Sequence, residues 1–266
     1  MNACYVDSHC NFEDERLKSQ LSDILSRAEE ADVGYFLNIC SKVSDFPEII
    51  SLANDHKNMW ASVGTHPHHA GEELELKNTN ATLTDFVKTH DKVIAIGETG
   101  LDYYYNHSTP ESQRISFRKH IHACLETGLP MIIHARDADD DIQRIITEEA
   151  PNGALKGILH CYASGAGLAE WGINYGLYVS FSGIVTFKNA QDIRDIARDI
   201  VPMNRLLIET DAPYLAPVPL RGRVCEPSHL VHTAQFLADL KEVPLEEIRD
   251  TTTQNFFELF KARAKR

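Results

Sequence analysis

Three histidines and two carboxylates able to bind cations or move protons, His9, Glu98, His134, His160 and Asp211, each close a short apolar run. The runs are YVDSH (5–9), VIAIGE (93–98), PMIIH (130–134), GILH (157–160) and RLLIETD (205–211). Imidazole together with carboxylate suits zinc, manganese, iron or magnesium, and no set of nearby cysteines marks a structural zinc site. Cys161 follows His160 directly, and strand alternation predicts it on the opposite face. Ligands drawn from distant segments, with positions left open, are of the catalytic type. Five donors can hold two cations where one carboxylate bridges. A pair of cations about 3.5–4 Å apart can clamp the attacking and leaving oxygens of a phosphodiester.

Residues so far apart in the chain meet only if every run ends on one face of a single fold. Each run is rich in Val, Ile or Leu and short, which reads as a strand buried on both sides. Three further runs, VGYFLNIC (33–40), MWASVGTH (59–66) and LYVSFSG (177–183), bring the number to eight. Segments with helical spacing lie between them. Leu17, Leu21, Ile24, Leu25 and Ala28 form one apolar stripe. Ile115, Ile121, Cys124 and Leu125 form another after Pro110, and Ile193, Ile196, Ala197 and Ile200 a third. Two closing helices are expected near 227–240 and 244–263, the second opening at Pro244. Eight strands alternating with helices predict an α/β fold, a (β/α)₈ TIM barrel forming a single domain over 1–266, with its site at the carboxyl ends of the strands. A doubly wound open sheet binds at one switch point and needs no ligands from strands one, four, five, six and eight.

The chain has 266 residues, 43% of them hydrophobic, enough for a core. No apolar stretch approaches the roughly 20 residues that span a bilayer. The opening MNACYVDSHC has neither a basic region nor a long apolar one, so a cytoplasmic protein without a standard secretion signal is expected. Six scattered cysteines with no CxxC pair read as buried reduced thiols. A net charge of −13 argues against holding nucleic acid on a basic surface, but not against an enzyme whose cations supply positive charge locally.

Other residues compete for roles. His66 closes the third run and could ligate, orient a phosphate or cap its loop, with substrate contact the favoured reading, while His68 and His69 read as ordinary loop residues. Strand seven offers only Ser180 and Ser182, so its end is expected to be a wall of the pocket. The acidic run at 137–141 sits where a helix should begin and is expected to stabilise that helix's amino end. The closing KARAKR reads as a solvated helix end. Arg221 and Arg223 follow strand eight on the active face, where an arginine fork can hold phosphate oxygens.

The chain resembles the TatD family of metal-dependent deoxyribonucleases in VDSHC (6–10), GTHPHHA (64–70), IGETGLDYYY (96–105), PMIIHARDA (130–138), LHCYASG (159–165), LLIETDAPYLAP (206–217) and RGRVCEP (221–227). These stretches occur in the family's order and spacing from about residue 3 to 260. The resemblance implies a barrel metallohydrolase that cleaves DNA phosphodiesters, often from the 3′ end, with two divalent cations (magnesium, manganese or zinc). It implies Glu98 as the bridging ligand, His9 and Asp211 at a first cation, and His134 and His160 at a second. Asp211 would also take the proton of the attacking water, assisted by Glu209. His66 and Tyr103 would border the substrate and Arg223 would hold phosphate. DNA is the expected substrate, with no membrane insertion and no stable protein partner.

One position departs from the family's His-x-His: this chain reads His9-Cys10-Asn11. Period two puts Asn11 on the face of His9, and its amide oxygen is a weaker donor than imidazole, so a weakened but retained first cation is expected. Two alternatives stay open. One is a hydrolase of the same architecture acting on an amide, a lactone or a small phosphoester, although such barrels often bridge their metals with a lysine where this chain has Glu98. The other is a non-catalytic metal or nucleic-acid binder that has lost a ligand at Asn11.

Overall fold

The computed structural model describes residues 4–75 and 80–264. Eight parallel strands form one sheet in sequence order: β1 (Tyr5–Cys10), β2 (Val33–Asn38), β3 (Met59–Val63), β4 (Val93–Asp102), β5 (Met131–Arg136), β6 (Gly157–Leu159), β7 (Tyr178–Phe181) and β8 (Leu206–Ile208). The sheet curls back on itself. Asp211 N–H donates to the His9 carbonyl at 3.0 Å and Asn11 N–H to the Ala212 carbonyl at 2.9 Å, stitching the end of β1 to the chain just after β8. The architecture is the (β/α)₈ TIM barrel.

Helices α1 (Glu15–Lys18), α2 (Leu21–Glu30), α3 (Phe46–Asp55), α4 (Ala70–Glu75), α5 (Asn80–Thr89) and α6 (Pro110–Thr127) occupy the first half. Helices α7 (Asp139–Glu149), α8 (Ala166–Tyr175), α9 (Gln191–Asp195), α10 (Leu230–Lys241) and α11 (Leu245–Leu259) follow. The first stripe read from the sequence is split by a break at Ser19 and Gln20. The α6 stripe is turned: Ile115 and Leu125 are 41% and 40% exposed, whereas Gln113, Phe117, His120, Ile121 and Cys124 are buried. Two of those buried residues are polar with satisfied hydrogen bonds, so counting apolar residues alone chose the wrong edge of the helix.

Two packing layers place the site. One cluster takes a side chain from every strand, Val6, Leu37, Trp60, Ile94, Ile132, Ile158, Tyr178 and Leu207, and is closed by Phe256 and Phe260 at the end of α11. This is the barrel interior, filled like an ordinary core. A larger apolar cluster lies between the strands and the outer helices. With the amino ends plugged by α11, polar strand residues are left for the carboxyl ends.

The acidic run at 137–141 supplies the first turn of α7 as expected, and also ties neighbouring loops: Asp139 accepts the Gly165 amide at 3.0 Å. The closing basic segment departs from its reading. Arg263 is not a solvated helix end but donates to the Val87, His90 and Val93 carbonyls, while Lys265 and Arg266 lie outside the described residues. The six cysteines are reduced thiols, as expected from the sequence. Among the described residues no helix is long and apolar enough to cross a membrane.

Candidate metal centre

The carboxyl ends of the strands converge on Glu98. β4 carries an extra residue there, for Ile96 pairs with Met131 while Thr99 pairs with Ile133. Close backbone approach accompanies the bulge: a Cβ on Gly64 would lie 2.5 Å from the Gly97 Cα. The Glu98 carboxylate then faces four imidazoles. Its Oε1 is 2.7 Å from His160 Nε2, 3.0 Å from His134 Nδ1 and 3.4 Å from His66 Nε2; its Oε2 is 3.4 Å from His9 Nε2. Asp211 joins through Oδ1, 3.6 Å from His9 Nε2. The His9 and His160 rings stack with centroids 4.1 Å apart.

This donor set fits cations. Both ring nitrogens of His9 are buried without a hydrogen-bond partner among the described residues, a state that costs free energy unless something binds them. Two of the other imidazoles are each anchored by one nitrogen and present the other to Glu98. His134 Nε2 lies 3.2 Å from Asp102 Oδ2, which anchors the ring by that nitrogen and turns Nδ1 to Glu98 at 3.0 Å, where a cation would take the place of a proton. His160 Nδ1 lies 3.2 Å from Glu209 Oε1, which leaves Nε2 facing Glu98 in the same way. Such carboxylate–histidine pairs orient metal ligands. Glu209 also accepts the Cys161 amide at 2.7 Å, so it sits beneath His160, fully buried.

Asp102 escaped the sequence reading. It is 1% exposed at the end of a β4 that runs four residues past Glu98, longer than the apolar run alone implies. Its Oδ2 also meets His68 Nε2 at 2.9 Å, and its Oδ1 accepts the Tyr104 and Tyr105 amides at 3.1 and 2.9 Å. His68 is therefore part of the scaffold, not an ordinary loop residue. The available signal was the run GETGLD, with an acid four residues beyond Glu98. In Asp102→Asn an amide NH₂ placed toward His134 Nε2 forces the imidazole proton to the other nitrogen. Mn²⁺ affinity at the site using His134 is expected to fall about 10- to 100-fold, and a calorimetric change under about threefold would contradict this role.

His66 reads differently. Its Nδ1 accepts the His68 amide at 3.1 Å, and burial, above all, lowers its pKa to about 4. The ring is neutral with its proton on Nε2, a donor aimed at the cluster, which supports substrate contact over ligation. The preceding Thr65 amide donates to buried His120 Nε2 at 3.0 Å, and His120 Nδ1 lies 2.8 Å from the Ser116 carbonyl. Burial lowers the His120 pKa to about 4 from 6.5. The unfolded chain therefore takes up this proton as pH falls from 6.5 to about 4, and stability drops by on the order of 3 kcal/mol across that window and no further below it. Urea unfolding at pH 7.5 and 4.5 should show His120→Gln losing less stability than the parent; an equal loss in both would contradict the assignment.

Burial favours a raised pKa at Glu98, but the charge of His160 and hydrogen bonds from His134 and His160 outweigh it and hold the carboxyl well below its usual range. Asp211 goes the other way: burial raises it, only partly offset by His9 and His160.

The remaining residues are placed as follows. β1 has a register shift between Asp7 and Cys10, so period two does not carry to Asn11. Asn11 lies past the strand end, its Nδ2 donating to the Ala212 carbonyl at 3.0 Å, which leaves the amide oxygen available to a cation. Cys161 corrects the alternation argument too: β6 stops at Leu159, Cys161 has φ +43°, and its Sγ lies 3.2 Å from Ser182 Oγ, inside the pocket. Tyr103 donates its hydroxyl to Asp141 at 2.6 Å on the pocket wall. Arg223 is exposed and does not line the pocket, whereas Arg221 lies 3.6 Å over the ring of Phe187, which does. Above the cluster opens a cavity of about 1830 Å³ that takes in Asn11, His66, Glu98, His134, His160 and Asp211.

Comparison with known proteins shows the family and the fold. A family model described as TatD related DNase matches residues 6–261. The chain is 38% identical over 264 residues to YcfH of Escherichia coli K12, an uncharacterized metal-dependent hydrolase, covering 98% of this chain and 97% of that protein. It is 35% identical to YabD of Bacillus subtilis, also an uncharacterized metal-dependent hydrolase, covering 96% and 98%. Among solved structures, the TatD homologue YJJV of Escherichia coli superposes with a TM-score of 0.90 at 24% identity, covering 98% of this chain and 99% of that one. A TatD-family hydrolase of Entamoeba histolytica superposes at 0.85 with 23% identity and the same coverage.

Proposed function

The chain belongs to the family of TatD-related DNases and is a metal-dependent hydrolase, and from that premise we propose that it cuts phosphodiester bonds of DNA, shortening single-stranded ends from the 3′ side in the cytoplasm. The observation that carries the reading is one buried carboxylate, Glu98, shared by four imidazoles at the floor of an open cavity. Two divalent cations (magnesium, manganese or zinc) would be held there, one by His9, Asp211 and Asn11 and the other by His134 and His160, with Glu98 serving both. When bound, they supply positive charge to the phosphate and acidify the attacking water.

The chain's own groups do the rest. Asp211, with its side chain 17% exposed at the mouth of the cluster, accepts the water's proton. Glu209 assists by keeping His160 in the coordinating tautomer. The Nε2–H of His66 hydrogen-bonds a non-bridging phosphate oxygen, Tyr103 borders the nucleotide, and Arg223 on the outer loop holds a phosphate beyond the cavity. A net charge of −13 repels long duplex at a distance, which favours short single-stranded ends delivered together with divalent cation.

A 5′-labelled single strand incubated with Mg²⁺ or Mn²⁺ should shorten progressively from its 3′ end and remain intact with chelator. No shortening with any of several divalent ions would overturn the reading. Calorimetric titration of the chelated protein with Mn²⁺ should give one tight and one weak event, with Asn11→His tightening the weak one. Two equally tight events in the natural sequence would contradict the role given to Asn11.

A further inference from the structure

We propose that Tyr104, Tyr105 and Arg136 form a stacking platform for an unpaired nucleobase beside the metal centre, an inference that rests on the DNA reading above. Tyr104 and Tyr105 are 59% and 50% exposed, the two most exposed large apolar side chains among the described residues. Both line the mouth of the catalytic cavity, as does Arg136 at the end of β5. The Arg136 guanidinium lies 4.3 Å from the Tyr104 ring centroid and 4.8 Å from that of Tyr105. The two tyrosine rings meet at 86° with centroids 4.9 Å apart, and Tyr105 runs parallel to His107 at 5.8 Å.

Exposed aromatic faces flanking a cation are what an unpaired base and its phosphate can use: the rings stack on the base whatever its identity, and the guanidinium answers the charge. Other parts of the cavity wall carry the carboxylates of Asp139, Asp140 and Asp192, besides Asp195 and Asp199, which pair with Arg198. Phosphates are repelled there, which leaves the tyrosine sector as the path for a strand. Bases in a duplex are already stacked and cannot occupy the platform, so it selects single strands.

The platform is also tied to the chemistry. The amides of Tyr104 and Tyr105 are held by Asp102 Oδ1, while the other oxygen of the same carboxylate holds His134. One residue thus sets the distance between the stacked base and the cation site. The tyrosine side chains take no part in that anchoring.

The test uses a short single-stranded oligonucleotide with Mn²⁺, and the same strand carrying one abasic site at each of its last few positions in turn. The parent enzyme should lose about tenfold or more in kcat/KM when the stacked base is missing. The Tyr104→Ala, Tyr105→Ala double variant should cut intact and abasic strands alike, and the Tyr104→Phe, Tyr105→Phe variant should regain the discrimination. Should the alanine variant turn over too slowly, anisotropy of labelled strands in Ca²⁺ carries the same comparison. Cleavage or binding in which the alanine variant discriminates as well as the parent, or the parent not at all, overturns the platform and leaves the nuclease reading standing. Failure of the parent to cut any strand overturns both.

Discussion

Glu98→Gln is expected to lower kcat by about 10³- to 10⁴-fold while leaving the fold intact. The substitution keeps the shape of the side chain and removes its charge. An amide presents one donor and one acceptor where the carboxylate presents two acceptors, yet His160 Nε2 and His134 Nδ1 approach one oxygen and His9 Nε2 the other. Whichever way the amide is turned, one side of the cluster meets an NH₂ group instead of an anion. Cations held on either side of Glu98 would then lose the negative charge they share, and with it the stabilisation they would give a developing phosphate charge, several kcal/mol in such sites. Metal analysis after dialysis should find fewer than two ions per chain, with circular dichroism like that of the parent. More than about a tenth of the parental turnover, or two retained ions, would remove Glu98 from the centre of the site.

Gly100→Ala should be the most damaging single methyl in the protein. Gly100 has φ +141°, and a Cβ there would lie 2.0 Å from the His134 carbonyl oxygen and 2.9 Å from its backbone nitrogen. Both sides of that contact are strand backbone, which cannot swing away as a side chain can. The expected cost is on the order of 4 kcal/mol, a large share of the roughly 5–15 kcal/mol that holds a domain folded. Tm should drop by roughly 10 °C, with Mn²⁺ binding weakened in whatever folds, since His134 is the residue displaced. Gly167→Ala is the control: nothing lies within 4 Å of its added methyl, in the first turn of α8. A Gly100→Ala protein melting within about 2 °C of the parent would show that β4 and β5 can part without cost.

Both outcomes depend on features with different legibility in the sequence. Glu98 was found because it closes an apolar run, as do His9, His134, His160 and Asp211, and all of these reach the same cluster. Composition does not mark where the strands end. His160 and Asp211 stand beyond β6 and β8, and β4 continues to Asp102, because bulges and positive-φ residues extend or stop a strand without altering its composition. The same irregularities defeated the alternation arguments for Cys161 and Asn11. On α6, a buried face that includes Gln113 and His120 was invisible to a count of apolar residues.

Local periodicity, strand-end chemistry and motif spacing are properties of the chain itself, and they determined the barrel, its family and the residues that could meet a cation. Those properties repeat along the sequence and need no knowledge of what lies across the barrel. The tertiary structure alone decided which nitrogen of His134 and of His160 faces Glu98, that Asp102 and Glu209 hold those two rings, that His68 and His120 belong to the scaffold, and that Arg223 stands outside the cavity while Tyr104 and Tyr105 rim it. Each of these is a contact between residues on different strands or loops, set by backbone path and hydrogen-bond geometry, and a tautomer is chosen by its partner, which no spacing along one chain can name.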